Sequence, residues 1–388
     1  MNKPMKLNWL LIGFLIFQTF SLTAEAAKSY VPGRIIVANR TSGTLSIIDE
    51  KTGTVVKNVT VAGKYARPPE PMYVNYIASL NRLMVCDRSN NQIIALDAKT
   101  YRLINTVPME RGAFHMWSDG VGKQTWAVND VDKSFTIINP KTMKVIPVTD
   151  PVTKKLVQAL PIPEDLKNQG GKPHDIILDK KGKYAFATIV GVGATTDPDY
   201  VVQYSTKTFT EIARFPTGKD PHVGLLNDGK LLFVPTQNAS KVYVLDPNKQ
   251  EENNPKLIKS LETIDVPGAH GAAWTPNGQY FYTSNLPGAA FPDDGKNYAL
   301  WTIDTKTKQV VSKSLFPDAP KLKAAHNITI NGNGAKLYLT HSGHEDGDST
   351  GDVSIYDISG ANGLPVLETR GIISVGINPF GITYVPGK

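Results

Sequence analysis

The chain has 388 residues and a formal charge of +7 at neutral pH, with lysines and acids interspersed and no basic run threaded by aromatics. That pattern excludes nucleic acid as a partner class. A single cysteine, Cys86, excludes an intrachain disulfide, so the core must hold the fold.

In chain order, residues 1–26 carry Lys3 and Lys6, the apolar run Trp9 to Phe17, and then Ala24-Glu25-Ala26. This reads as a cleaved secretory signal peptide. The apolar run is short for a bilayer span, and no cysteine follows the cleavage point to carry a lipid. The expectation is a periplasmic or secreted protein of residues 27–388, with no membrane span once the signal is removed.

From residue 33 the sequence repeats with a period of about fifty residues. "GRIIVANRTSGTLSIIDEKTGTVVKNVTV" (33–61) and "NRLMVCDRSNNQIIALDAKTYRLINTV" (81–107) share one plan: apolar strand, Asn or Asp, polar turn, second strand ending in Asp, Lys-Thr turn, third strand. Five further copies follow, and a short apolar run precedes each copy except the first. The unattached terminal run "NPFGITYVPGK" supplies the missing strand. The sequence therefore predicts an all-β, seven-bladed β-propeller closed by pairing of its N- and C-terminal strands in one blade, with a single helical candidate at Pro163 to Asn168.

The repeat "TSGTLSIIDEKTGTVVKNVTV" resembles that of the bacterial YVTN-type propellers over nearly the whole mature chain. The resemblance implies the fold and leaves function open. Propellers serve as adhesins, as lactonases, and as haem, quinone and copper enzymes.

The histidines fall in register. His115, His174, His222, His270 and His326 each open the innermost strand of a blade, and Met72 and Phe380 hold that place in the other two. Innermost strands line the central channel, so these side chains should converge at one mouth. His341 and His344, in "YLTHSGHEDGD", are placed on the same face by the up-and-down strand order. The long loops 191–199, 286–297 and 342–352 also belong to that face.

Crowded imidazoles repel when protonated, whereas a metal that accepts neutral nitrogen makes the crowding favourable. This points to a metal site of His115, His174, His222, His270, His326, His341 and His344, with the Met72 thioether as a soft ligand. Copper is favoured over zinc or iron, and Asp175, Asp119 and Glu345 are candidates to orient the rings. Duplication of a turn-stabilising histidine along with its blade is the alternative.

A histidine ring at the mouth of a seven-bladed propeller resembles the catalytic domain of nitrous oxide reductase. That resemblance implies copper ligation by the same histidines, although this chain lacks a cupredoxin domain with a Cys-rich copper motif. The functional expectation is a periplasmic copper-binding propeller with a redox or electron-transfer site and a periplasmic redox partner. A haem d1-type cofactor binder and a non-catalytic adhesin are the rivals.

Other signals carry less. "GDSTG" (347–351) matches G-x-S-x-G but sits between strands, where a nucleophile elbow needs a strand-to-helix turn. Cys86 ends an apolar strand and is expected in the core.

Overall fold

One turn, used repeatedly, sets the strand lengths. Asp49, Asp97, Asn139 and Asp304 each close a second strand, and each side-chain oxygen accepts the backbone N–H groups two and three residues on, at 2.7–3.0 Å. These are Asx turns, which explains the recurring x-Lys-Thr after each polar residue. The residue after the threonine takes a left-handed conformation in every case: Gly53, Tyr101, Met143 and Lys308 have φ between +53° and +63°. At Gly53 the missing Cβ makes this free, and at the other three the turn imposes it.

The computed structural model describes residues 32–387 apart from 62, 64, 227, 287–297, 317–321, 323 and 343–350. The expected signal peptide, His344, Glu345 and residues 347–350 of the G-x-S-x-G match lie outside the described residues.

The described chain folds into small antiparallel meanders. In the first sheet Thr54–Thr60, Thr44–Asp49 and Arg34–Asn39 are followed by Pro379–Val385, paired antiparallel to Arg34–Asn39 with Ile36 opposite Thr383. The terminal run thus takes the innermost place expected of it. The next sheet is a plain meander from Pro71–Ile77 to Leu103–Pro108.

The third departs from the repeat. Its outer edge is shared by two short strands, Lys144–Val145 and Ala159–Pro161, both paired with Ser134–Asn139 and separated by a small hairpin. The expected helix follows at Glu164–Asn168.

Lys172–Leu178 to Glu211–Pro216 and Gly224–Leu225 to Asn254–Asp265 are two four-stranded meanders. A single parallel pair, Arg214 with Leu257, joins them into one eight-stranded sheet. Two more four-stranded meanders cover Ala273 to Leu315 and Ala325 to Ser374.

Successive innermost strands pack side by side. Pro71–Ile77 lies against both Pro379–Val385 and Ala113–Ser118, and Ala113–Ser118 lies against Lys172–Leu178. This is the β-propeller arrangement. In the first sheet Arg34–Asn39 and Thr44–Asp49 are buried almost throughout, whereas the outer strand Thr54–Thr60 is mostly exposed. Apolar side chains from adjacent sheets fill the space between them: Ile36, Leu45 and Ile47 of one meet Val74, Val85 and Leu96 of the next. Cys86 is fully buried in such a layer, where burial pushes its thiol pKa up and leaves it inert.

Candidate functional site

Three innermost strands break register at their histidine. The ladder shifts between Ala113 and Met116, between Pro173 and Ile176, and between Ala325 and Ile328, bracketing His115, His174 and His326. Such bulges re-aim a side chain and free a backbone N–H.

A hydroxyl on the adjacent strand captures the freed group. Asp175 N–H donates to Thr188 Oγ1 at 2.8 Å and Asn327 N–H to Thr340 Oγ1 at 3.0 Å. Gly271 N–H does the same to Ser284 Oγ at 3.2 Å. The bulge turns the histidine and the residue after it toward the channel together, and this brings Asp175 and Asn327 into the site.

The rings then form a closed circuit. Centroids lie 5.1 Å apart for His115 and His174, 5.0 Å for His174 and His222, 3.8 Å for His222 and His270, and 4.5 Å for His270 and His326. Phe380 is 3.9 Å from His326 and 6.0 Å from Tyr73, and Tyr73 is 3.9 Å from His115. The five predicted channel histidines are thus brought together. Met72 is fully buried instead, and its neighbour Tyr73 supplies the ring.

Asp175 organises one half of the circuit. Its Oδ1 accepts from His115 Nδ1 at 2.6 Å, and its Oδ2 accepts Val223 N–H at 3.2 Å and stands 3.8 Å from His222 Nδ1. With Nδ1 donating, His115 Nε2 is an acceptor and receives a hydrogen bond from the Tyr73 hydroxyl at 2.8 Å. Tyr73 also contacts Asn327, whose amide reaches His326 Nδ1 at 2.6 Å and the Phe380 carbonyl at 3.0 Å. His222 Nε2 is buried and has no hydrogen-bond partner.

On the outer side, His174 Nε2 lies 3.9 Å from Asp220 Oδ1. Buried Asp199 accepts the Asp220 backbone N–H at 3.0 Å and holds the Lys219 ammonium at 3.1 Å, fixing that corner.

The electrostatics follow from burial. Burial pushes the Tyr73 hydroxyl well above the usual phenol range, and the Asp175 charge adds to this, so Tyr73 keeps its proton. Burial lowers His115 below its ordinary value although Asp175 pulls the other way, and burial with neighbouring His222 and His115 lowers His174 further. For Asp175, burial acts to raise the pKa, but His115 and His222 outweigh it and hold the carboxyl well below the usual range.

These shifts give stability a sign with pH. His115 and His174 bind fewer protons folded than unfolded, so stability falls as pH drops through the ordinary histidine value of 6.5 and keeps falling down to the folded values. Asp175 retains its contribution across that window and loses it only at lower pH. Lowering pH from about 7.5 to about 5 is therefore expected to reduce the melting temperature, and a His115→Gln/His174→Gln variant should show a flatter dependence. An equally steep dependence in the variant would contradict this.

Other sequence expectations fare differently. His341 Nε2 bonds Ser354 Oγ at 2.7 Å and its ring packs on Phe316, so it serves the interior of the last meander. Asp119 accepts the backbone N–H groups of Lys123 and Gln124 at 2.9 and 3.0 Å in a turn at the far end of its strand and orients no histidine. Tyr73, Asp220 and Asn327 lie beyond what the repeat pattern points to. The signal available was position alone: Asn327 follows a register histidine as Asp175 does.

The site faces a cavity of about 260 Å³ whose walls include Tyr73, His115, Asp175, His222, His270 and Asn327. Among the described residues lining it there is no lysine or arginine. No helix among the described residues is long and apolar enough to cross a membrane.

No protein-family model and no curated protein matches the sequence. Solved structures do match. A Bacteroides fragilis protein provisionally named a 6-phosphogluconolactonase is similar with a TM-score of 0.63 at 16% identity, over 93% of this chain and 99% of that one. The periplasmic gluconolactonase of Pseudomonas aeruginosa gives 0.63 at 14% identity, over 91% and 99%. Kuenenia stuttgartiensis hydrazine synthase gives 0.56 at 15% identity, over 81% and 86%.

At these identities the likeness shows the β-propeller fold. The comparisons carry no link to YVTN-type propellers or to nitrous oxide reductase. They also correct the copper-binding expectation, with its haem d1 and adhesin rivals, because propellers matched over more than nine-tenths of this chain are named for lactone hydrolysis. The expected ligand set does not converge as one: both His115 nitrogens are taken by Tyr73 and Asp175, Met72 is fully buried and His341 bonds Ser354, whereas His174, Asp220 and His222 bring their ligand atoms within 4.8 Å of one another. The imidazoles are oriented by the protein itself.

Proposed function

We propose that this chain is a seven-bladed propeller, exported to the periplasm by its N-terminal segment, that hydrolyses a small uncharged lactone of the sugar-acid type. Seven ring-bearing innermost segments support the blade count, the eight-stranded sheet being two blades fused at one residue pair. The observation that carries the activity is one carboxylate, Asp175, facing two imidazoles over a cavity, one bonded to a protonated tyrosine and the other with a buried Nε2 that has no hydrogen-bond partner.

His222 is the general base. Its Nε2 takes a proton from water as the water oxygen attacks the lactone carbonyl, while Asp175 opposite Nδ1 steadies the imidazolium. The 3.8 Å separation from Asp175 suits an unliganded site, where catalytic bonds are often long. Tyr73 gives up its bond to His115 to donate to the oxyanion. The ring C–O bond then breaks, the ring oxygen takes the proton from His222, and the product is an open-chain hydroxy acid that ionises at neutral pH. Lack of lysine and arginine among the described lining residues favours an uncharged ring, because a phosphate buried there would have no cation to offset its desolvation.

Acid release from glucono-1,5-lactone, followed in a pH-stat, tests the reading. Wild-type protein should exceed the spontaneous rate, and His222→Asn should lose about 10²- to 10⁴-fold in kcat. A wild-type rate equal to the spontaneous one rules the activity out.

A further inference from the structure

The circuit of rings divides the channel into two compartments. Consecutive rings are within 6.0 Å around the whole loop, and His115 and His222 also meet across it at 6.2 Å. His115, His222, His270 and His326 are each at most 5% exposed. On the side of the loop 191–199 stand His174 and Asp220, with side chains 21% and 27% exposed, and neither lines the cavity.

The cavity lies on the other side. From the histidine layer it follows the innermost strands toward their carboxyl ends, where Trp117, Trp274, Thr329 and Thr383 line it and are partly exposed, and Pro276 on the turn beyond is exposed. Trp117 and Trp274 both back onto the apolar cluster around Val223 and Leu225, which holds them in place.

We infer that ligands reach the cavity from the carboxyl ends of the innermost strands, passing Trp117 and Trp274, and that the histidine circuit is its closed floor. The loop 191–199, which meets Lys219 and Asp220 at the histidine mouth, therefore does not guard the access route. The route stands on geometry alone, whereas the identity of the ligand, a single polyhydroxylated ring with an apolar face for the two indoles, rests on the lactonase reading. Aromatic walls with a few convergent polar groups at the base suit such a ring.

The test is a labelling experiment that needs no turnover. Ala272→Cys places a thiol on the cavity wall, and the native Cys86 is fully buried. A small methanethiosulfonate reagent reports access to that thiol. Adding Thr383→Trp should slow labelling by about tenfold or more, whereas adding Asp220→Trp should change it by less than about twofold. Thr329→Trp is a second plug should Thr383→Trp fail to show a cooperative melt.

The opposite pattern, or equal slowing by plugs at both ends, overturns the inference. Lactone turnover in the same variants should fall in parallel with labelling. Protein that labels as expected but never opens the lactone would sink the lactonase reading and leave the route standing.

Discussion

Asp175→Asn is expected to lower kcat for lactone opening by about 10³- to 10⁴-fold with a much smaller change in KM. The carboxylate accepts His115 Nδ1–H at 2.6 Å, and this fixes the tautomer whose Nε2 accepts a hydrogen bond from the Tyr73 hydroxyl. An asparagine also meets the backbone donors of Ile176 and Val223, now 2.7 and 3.2 Å from the two carboxylate oxygens. One amide oxygen replaces only one of the two: at the Oδ1 place it keeps Ile176 and His115 and sets its N–H₂ against Val223 N–H and His222 Nδ1, and at the Oδ2 place it sets its N–H₂ against Ile176 N–H and His115 Nδ1. In either orientation a backbone donor meets a donor and the charge that steadies an imidazolium on His222 is gone.

A purely structural role for Asp175 would lower the melting temperature and leave kcat per folded molecule unchanged. The two cases separate once rates are normalised to folded protein. Tyr73→Phe should cost less, about 10- to 10²-fold, because it removes one donor and leaves the base in place. An Asp175→Asn enzyme with undiminished kcat would remove Asp175 from the mechanism.

Much of this architecture is legible in the sequence because it depends on local chemistry. The x-Lys-Thr turns, the fifty-residue period and the orphan run at Phe380 are each readable within one repeat. The histidine register is legible for the same reason, since innermost strands begin at a fixed place in the period.

Bond partners are a different matter. Tyr73 meets Asn327 across 254 residues of sequence, and the bulges that turn Asp175 and Asn327 inward depend on hydroxyls of neighbouring strands, Thr188 and Thr340. Crowded imidazoles suggest a metal when only the imidazoles can be seen. With a carboxylate and a phenol among them, the same crowding becomes a hydrogen-bonded acid–base site. His341 misleads for a related reason: its face of the propeller is predictable from strand order, but its direction into the sheet interior is set by Ser354 and Phe316.

Phe380→Ala is expected to destabilise the fold by about 3–5 kcal/mol, the range for truncating a buried aromatic. The ring is 1% exposed and sits on the last strand, whose pairing with Arg34–Asn39 closes the propeller. It packs 3.9 Å from His326 and 6.1 Å from Phe114, and its own carbonyl accepts from Asn327 at 3.0 Å and Thr340 at 3.1 Å. Those backbone bonds survive the substitution, so the loss is one of packing at the seam. A melting temperature lower by about 4–7 °C should follow.

Val56→Ala, on an outer strand with Val56 52% exposed, is the matching control and should change stability by no more than about 0.5 kcal/mol. The same truncation also opens the floor of the cavity, because Phe380 is the link between His326 and Tyr73. Labelling of the cavity thiol in a protein plugged at Thr383 should then recover part of its lost rate by access through the histidine mouth. Unchanged labelling in a destabilised Phe380→Ala protein would mean that the neighbouring rings collapse to refill the gap, and that Phe380 serves closure of the fold without sealing the channel.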